Sequence, residues 1–133
     1  MELLGENELS LSRIARILED AYMEVDKSDE GRLGVDAGDC RVLVFFEEEK
    51  KLVTFASIWG LKPTTELRRF ELVNKLNDEM ILVRFSAKRE TVLWCDQQFS
   101  VKGGITPKWL ILTLKRFAEV CAGAAKVNSE YFE

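Results

Sequence analysis

The residues best suited to chemistry are five carboxylates between positions 26 and 39. Carboxylate oxygens bind divalent cations, and a pair of carboxyl groups can act as general acid and base. Their spacing lacks the Asp-x-Asp-x-Asp-Gly order of a calcium-binding loop, and acidic residues among glycines are typical of solvated turns. We therefore expect no metal site and no catalytic residue here. The five are Asp26, Asp29, Glu30, Asp36 and Asp39.

Other groups common in catalysis are missing or poorly spaced. The chain has no histidine, which excludes Ser–His and Cys–His nucleophiles. Cys40, Cys95 and Cys121 are widely separated and form no CxxC pair, so we interpret them as small buried side chains. Gly103 and Gly104 lack a phosphate-binding pattern and indicate a turn. The sequence therefore predicts no enzyme and no cofactor.

The distribution of charge argues against a nucleic-acid partner. The first 39 residues carry 11 acidic and 4 basic side chains, and the remainder carries 12 and 15, for a net charge of −4. Binding to a phosphate backbone needs clustered Lys and Arg, which the sequence does not offer. The longest apolar runs are too short to span a membrane, and the N-terminus does not resemble a secretion signal. We expect a cytoplasmic protein with no membrane partner.

Three helices are predicted from apolar residues that recur every three or four positions. They cover residues 9–22, 64–77 and 106–126. Hydroxyl and amide side chains that accept hydrogen bonds from free backbone N–H groups mark their starts. These are Ser10 or Asn7, Thr64 or Thr65, and Thr106 followed by Pro107.

Strand patterns fill the intervals between these helices. Residues 40–46 are an apolar, β-branched and aromatic run, which predicts a central strand covered on both faces, and residues 52–59 alternate as its hairpin partner. Residues 80–87 and 91–100 predict a second hairpin. One or both of residues 22–27 and 32–36 add a short strand. The expected fold is a single α+β domain over residues 1–133, with an antiparallel sheet of about five strands flanked by three helices in the order α-β-β-β-α-β-β-α.

Two asparagines interrupt the apolar face predicted for the second helix. Leu67, Phe70 and Val73 define this face at a 3.6-residue period, and Asn74 and Asn77 lie on it. A buried amide needs hydrogen-bond partners. We therefore expect both asparagines to bond the backbone where this helix meets the next strand, with ligand contact as the alternative.

The last helix carries more apolar surface than one sheet can cover. Leu110, Leu114, Phe117 and Cys121 form its main stripe, and further apolar side chains lie outside that line. Apolar patches that stay exposed mark sites of protein contact. The candidate protein-binding residues are Trp109, Ile111, Leu112 and Ala118.

Two stretches resemble the YbjN family of small bacterial proteins. They are VNKLNDEMILVRFS at residues 73–86 and, after a hairpin, GGITPKWLILTLKRFAEV at residues 103–120. The resemblance implies a fold similar to the cytoplasmic chaperones of type III secretion, which are α+β homodimers without a cofactor. The family's label, bacterial sensory transduction regulator, implies no reaction and no catalytic residue.

Three functional hypotheses follow. The leading one is a non-enzymatic domain that binds another protein, including a second copy of itself as a homodimer, through a sheet face and the last helix. The runner-up is a type III secretion chaperone that holds an extended effector segment in grooves or by strand addition. The third is an enzyme or small-ligand sensor that uses the carboxylates of residues 26–39. Co-purification of one dedicated client would favour the second, and a closed pocket with convergent polar groups the third.

Overall fold

The computed structural model describes residues 3–133 and has an α+β architecture. Its helices are α1 (Leu11–Asp20), α2 (Glu66–Glu79) and α3 (Pro107–Val127). Its strands are β1 (Glu24–Asp26), β2 (Leu33–Asp36), β3 (Arg41–Glu47), β4 (Leu52–Gly60), β5 (Arg84–Arg89) and β6 (Val92–Ser100). The predicted class, three helices beside an antiparallel sheet, is confirmed.

Each α-helix begins with a predicted capping residue. The side-chain oxygens of Ser10, Thr65 and Thr106 each accept a hydrogen bond from the backbone N–H three residues later, at 3.0 to 3.2 Å. These bonds satisfy donors that have no partner inside the helix. The local signals at the helix starts are therefore sufficient to place them.

The six strands form one antiparallel sheet in the order β1-β2-β3-β4-β6-β5. Both predicted hairpins, β3 with β4 and β5 with β6, are confirmed. The sheet has one strand more than the predicted order contains, because both short segments form strands. Glu24–Asp26 pairs with Gly34–Asp36 across a turn in which Gly31 takes a φ of +82°. Since only glycine adopts such a φ without strain, Gly31 permits the turn that joins the two strands into a hairpin.

The hydrophobic core lies on one face of this sheet. Alternate strand residues such as Val44, Phe55 and Cys95 point into it, and they contribute to one cluster with residues of all three helices. Phe55 packs against Phe117 of α3, with ring centroids 6.0 Å apart. The core side chains therefore fix α1, α2 and α3 on the same side of the sheet.

The opposite face carries none of this cluster. It presents Phe45, Thr54, Ile58 and Trp94, of which Ile58 is exposed. Strand β3 is central in the sheet, as predicted, but the expectation that it is covered on both faces is wrong. Within residues 3–133 the helices cover only one side, so the sheet leaves a second broad surface open.

Helix α2 faces the core with a different side from the one predicted. Leu72 and Leu76 are buried, whereas Leu67 and Phe70 are 67% and 53% exposed. The predicted face was wrong because α2 has apolar residues on two sides. The buried side avoids the asparagines, since burying Asn74 among apolar side chains would leave its amide unpaired.

The strand after α2 also begins later than predicted, at Arg84 instead of residue 80. Leu82 takes a φ of +71°, which is outside the β region and interrupts an extended chain. Ile81 and Leu82 are consequently exposed at the end of α2, and the buried apolar side chains of this segment begin at Val83.

Candidate functional site

The acidic residues between positions 26 and 39 form turns and surface ion pairs. Asp26 accepts hydrogen bonds from the Ser28 backbone N–H at 2.9 Å and from Arg41 at 3.3 Å. Hydrogen bonds from Ser28 and the charge of Arg41 lower the pKa of Asp26 below its ordinary value. Asp29 pairs with Arg32 at 3.0 Å. In the described part of the chain, no group of three or more His, Cys, Asp or Glu residues is arranged to hold a metal ion.

The three cysteines are buried, as predicted, but they also converge. Cys40 lies against Cys121, whose contact raises the pKa of the Cys40 thiol, and burial raises it further. For Cys121, the hydrogen bond with Cys40 lowers the pKa, but the contact with Cys95 and burial outweigh it, so the net pKa is raised. The Cys40 sulfur is also 3.3 Å from the Ser57 hydroxyl. Raised pKa values keep the Cys40 and Cys121 thiols protonated and unreactive.

The two asparagines of α2 have different surroundings. The Asn77 amide donates to the Phe85 carbonyl at 2.9 Å, and its oxygen accepts from the Phe85 N–H at 2.8 Å. Since β5 is an edge strand, Asn77 occupies backbone groups that another strand would otherwise pair with. Asn74 is exposed, and no side-chain hydrogen bond of Asn74 is present among residues 3–133.

The four candidate residues of α3 are separated by the fold. Trp109 and Leu112 are exposed, Ile111 is half-buried, and Ala118 is buried at 4% exposure. Ala118 is therefore not available to a partner, which corrects that part of the expected surface. Ala118 lies four residues after Leu114 and three before Cys121, so it belongs to the stripe of α3 that packs in the core.

The exposed side chains of α3 adjoin the segment that follows α2. Arg116, one turn beyond Leu112 on α3, donates from its guanidinium to the Ile81 carbonyl at 3.2 Å. This bond holds the exposed Ile81–Leu82 segment against α3. We call the resulting set the apolar surface. It comprises Ile81, Leu82, Trp109 and Leu112.

A polar cluster that the sequence did not reveal lies on the helix-free face of the sheet. Asp96 is only 5% exposed and accepts two hydrogen bonds from Arg84, at 3.0 and 3.1 Å, and one from the Trp94 indole at 2.6 Å. Hydrogen bonding to Asp96 and its negative charge raise the pKa of Arg84. The cluster borders an open cleft of about 820 Å³. Its carboxylate is fully engaged within the sheet, so we assign it a structural role.

Comparison with protein families decides the family membership. The sequence matches the family YbjN, described as "Putative bacterial sensory transduction regulator", over residues 10–127. The chain belongs to the YbjN family. No curated protein matches it.

A solved YbjN-family structure has the same fold. It is described as "Crystal structure of YbjN, a putative transcription regulator from E. coli", with a TM-score of 0.76 and 13% sequence identity. The likeness covers 94% of this chain and 96% of that one. At this identity the comparison establishes the fold alone. The family description names a regulator and no reaction.

Helix length and hydropathy bear on membrane contact. Across residues 3–133 no helix combines the length and the apolar character needed to cross a bilayer.

Proposed function

We propose that this YbjN-family chain is a non-enzymatic regulatory domain of the bacterial cytoplasm that acts by binding other proteins. The observation that carries the proposal is the apolar surface. It groups four exposed apolar side chains from α3 and from the segment that follows α2. Exposed apolar side chains grouped in this way are costly to leave in water and typically mark protein interfaces.

The chemistry of the remaining surface supports binding over catalysis. Of the acidic residues that might serve as acid and base, Asp26, Asp29 and Asp36 instead accept hydrogen bonds in turns or pair with arginine. The thiols are buried, and the chain contains no histidine to activate a nucleophile. A ligand-sensing role would have to use the open cleft beside Asp96, which is a less enclosed site than small molecules generally occupy.

A secretion-chaperone role is the second candidate, because it would use the same apolar surface for one dedicated client. Strand addition at β5 is disfavoured, since Asn77 already occupies both edge groups of Phe85. At the other edge, β1 has only three residues. A client would therefore bind against side chains, with its apolar residues on the helices.

Site-specific photo-cross-linking in the native bacterium tests the proposal. Leu112 and Ile58 are each 54% exposed, but Leu112 belongs to the apolar surface and Ile58 to the helix-free sheet face. Benzoylphenylalanine at position 112 should form a discrete protein adduct, identified by mass spectrometry, that is absent with the probe at position 58.

The adduct's identity separates the two candidates. Several cellular proteins, or a second copy of the chain, would support a regulatory binding domain, and a single secreted protein would support the chaperone role. Equal adducts at both positions, or none at either, would contradict protein binding through this surface.

A further inference from the structure

The open cleft on the helix-free face of the sheet has the composition of a small-molecule site. It crosses strands β4, β6 and β5, and its volume of about 820 Å³ is within the usual range for ligand pockets. Such pockets combine a mainly apolar lining with a few polar groups that orient the ligand. The lining of this cleft includes Ile58, Val92, Trp94, Arg84, Arg89 and Asp96.

The middle of the cleft is apolar. Ile58 of β4 and Trp94 of β6 are directly paired in the sheet register, and Val92 lies two residues from Trp94 on the same face. Ile58 is exposed, and Trp94 and Val92 are half-buried. An apolar molecule that covers these side chains removes them from water, which favours its binding.

A bulge in β5 places a second arginine in the cleft. Arg84 is paired with Asp96 of β6. Arg89 is paired with Val92, because one extra residue before Arg89 shifts the register. In a regular strand Arg84 and Arg89 would point to opposite faces, since they are five positions apart. The bulge therefore turns Arg89 to the face that already carries Arg84, and both arginines line the cleft.

The two arginines differ in electrostatic environment. The Arg84 guanidinium pairs with Asp96 at 3.0 Å, so its charge is balanced within the cleft. Arg89 forms no ion pair with another residue in the described part of the chain. Two arginines and one aspartate give the described lining a net charge of +1, which lies at Arg89. This charge complements a ligand group with a single negative charge.

We propose that this cleft binds a small apolar monocarboxylate. Its carboxylate pairs with Arg89, and its apolar body lies over Val92, Trp94 and Ile58. The site is separate from the apolar surface on the helices, and it uses none of the acidic residues between positions 26 and 39.

The opposite rim of the cleft is negative. Gly60 of β4 is paired with Val92, which is paired on its other side with Arg89. Gly60 lies two residues from Ile58 and therefore faces the same side of the sheet. A side-chain carbon at Gly60 would lie 3.0 Å from the Glu133 carboxylate, so this carboxylate is on the face that carries the cleft. An anion is repelled at the β4 rim and attracted at the β5 rim, which orients the ligand.

The end of the cleft far from Arg89 offers no unbalanced charge among the described residues that line it. Arg84 and Asp96 neutralise each other there, and Gln98 donates to the Thr54 hydroxyl at 3.2 Å. In the sheet register this end lies four residues along β6 from the partner of Arg89, or about 13 Å. A second carboxylate on the ligand would find no free cation at that end. The cleft therefore favours a monocarboxylate over a dicarboxylate.

The floor of the cleft is ordered before a ligand binds. The Trp94 indole donates to Asp96 at 2.6 Å, and Arg84 donates twice to the same carboxylate. These bonds hold the indole in one orientation. Side chains that are already ordered lose less entropy on binding, which partly offsets the open shape of the cleft.

A chemical-shift titration of the isotopically labelled chain with octanoate tests the site by nuclear magnetic resonance. The amides of Ile58 and Trp94 should show saturable shifts with a Kd of about 0.1 to 1 mM, which is weak because one side of the ligand stays in water. Octanol and octylammonium keep the same chain but carry a neutral or a cationic group. They should bind about 3-fold to 10-fold more weakly, or weaker still for the cation. Equal affinity for all three, or no saturation by about 10 mM octanoate, would overturn the proposal.

A pair of charge substitutions locates the bound octanoate. Ile58 and Leu112 are each 54% exposed, the first in the cleft and the second on the apolar surface. Ile58→Glu should raise the Kd for octanoate by about 10-fold or more, because it removes apolar contact and repels the carboxylate. Leu112→Glu is the matched control and should leave the Kd unchanged. The reverse pattern would show that octanoate binds the apolar surface and would refute the cleft as its site.

Removal of the unbalanced cation tests the role of Arg89. Arg89→Gln should raise the Kd for octanoate by about 3-fold to 10-fold and leave the Kd for octanol unchanged, and Arg89→Lys should restore part of the loss. Arg13→Gln, which neutralises another exposed arginine outside the cleft, should have no effect. Near-ultraviolet circular dichroism verifies that each variant is folded. Equal effects of Arg89→Gln and Arg13→Gln, or equal effects of Arg89→Gln on octanoate and octanol, would contradict a carboxylate on Arg89.

This proposal and the proposed function fail independently, because they use different faces of the domain. A chain that forms a protein adduct at Leu112 but does not bind octanoate keeps the protein-binding function and loses the carboxylate site. A chain that binds octanoate in the cleft but forms no adduct at Leu112 loses the protein-binding surface and keeps this one.

Discussion

Replacing Asn77 with alanine removes both hydrogen bonds that join the end of α2 to the edge strand β5. The Asn77 side chain reproduces the donor and acceptor of a peptide group, and it bonds the Phe85 carbonyl and N–H at 2.9 and 2.8 Å. Phe85 is a core residue at 2% exposure, so the bonds position a strand residue on which the core depends. The variant should therefore be less stable than the wild-type protein and should have a free edge at β5.

The expected loss follows from the number of bonds. A hydrogen bond contributes about 0.5 to 1.5 kcal/mol net, so two contribute about 1 to 3 kcal/mol. Because the Asn77 side chain is itself solvent-accessible, water can replace part of this interaction, which favours the lower half of the range. Alanine is also the better helix former by up to about 0.7 kcal/mol, which offsets some of the loss.

Asn74→Ala is the matched control for this measurement. It makes the same substitution three residues earlier in the same helix, at an exposed side chain without such bonds in the described structure. Subtracting its effect removes the gain in helix propensity.

Urea unfolding followed by circular dichroism gives the two free energies of unfolding. We expect Asn77→Ala to be less stable than Asn74→Ala by about 1 to 3 kcal/mol. A difference smaller than about 0.5 kcal/mol would mean that the bonds to Phe85 contribute nothing beyond what water supplies, and the reasoning would be refuted.

Three other predictions concern the buried side of α2 and the thiols. Leu76→Ala should cost about 2 to 5 kcal/mol of unfolding free energy, whereas Leu67→Ala should change it by less than about 0.5 kcal/mol. Equal losses in urea unfolding would show that the two sides of α2 are wrongly assigned. Cys40, Cys95 and Cys121 should react with Ellman's reagent only on unfolding, and prompt reaction of the native protein would contradict their burial. Burial and thiol contacts raise the pKa of Cys40 and Cys121 above the ordinary value of 9.0. The stability that these two thiols contribute is therefore present below pH 9 and is lost as the pH rises above it. Urea unfolding between pH 8 and 10 measures this loss.

Much of the fold could be predicted because its signals are local. The three capped helix starts, the two hairpins and the proline at the first position of α3 each depend on a few consecutive residues. Such residues restrict backbone conformation or pair with neighbouring N–H groups wherever they occur. The added strand came from the same kind of signal, a glycine turn between two short β-prone segments, which the sequence analysis had left open.

The candidate surface was predicted only in part. Trp109 and Leu112 are exposed as a binding residue must be, but Ala118 is covered and Leu67 and Phe70 were assigned to the core. Periodicity identifies which residues share a side of a helix, but it does not identify which side meets the sheet when two sides are apolar. The position of α1 beside α3 likewise depends on contacts between residues that are distant in sequence, which a local pattern does not specify.

By itself, the sequence determined the elements, their order, their caps and the membership of the YbjN family. The tertiary structure alone decided which side of α2 is buried, that the three cysteines meet, and that Asp96 is enclosed by Arg84 and Trp94. The physical reason is the sequence separation over which each kind of interaction acts. Backbone conformation responds to adjacent residues, whereas burial and side-chain pairing depend on strands that are distant in sequence and become neighbours only when the sheet closes in the order β4-β6-β5.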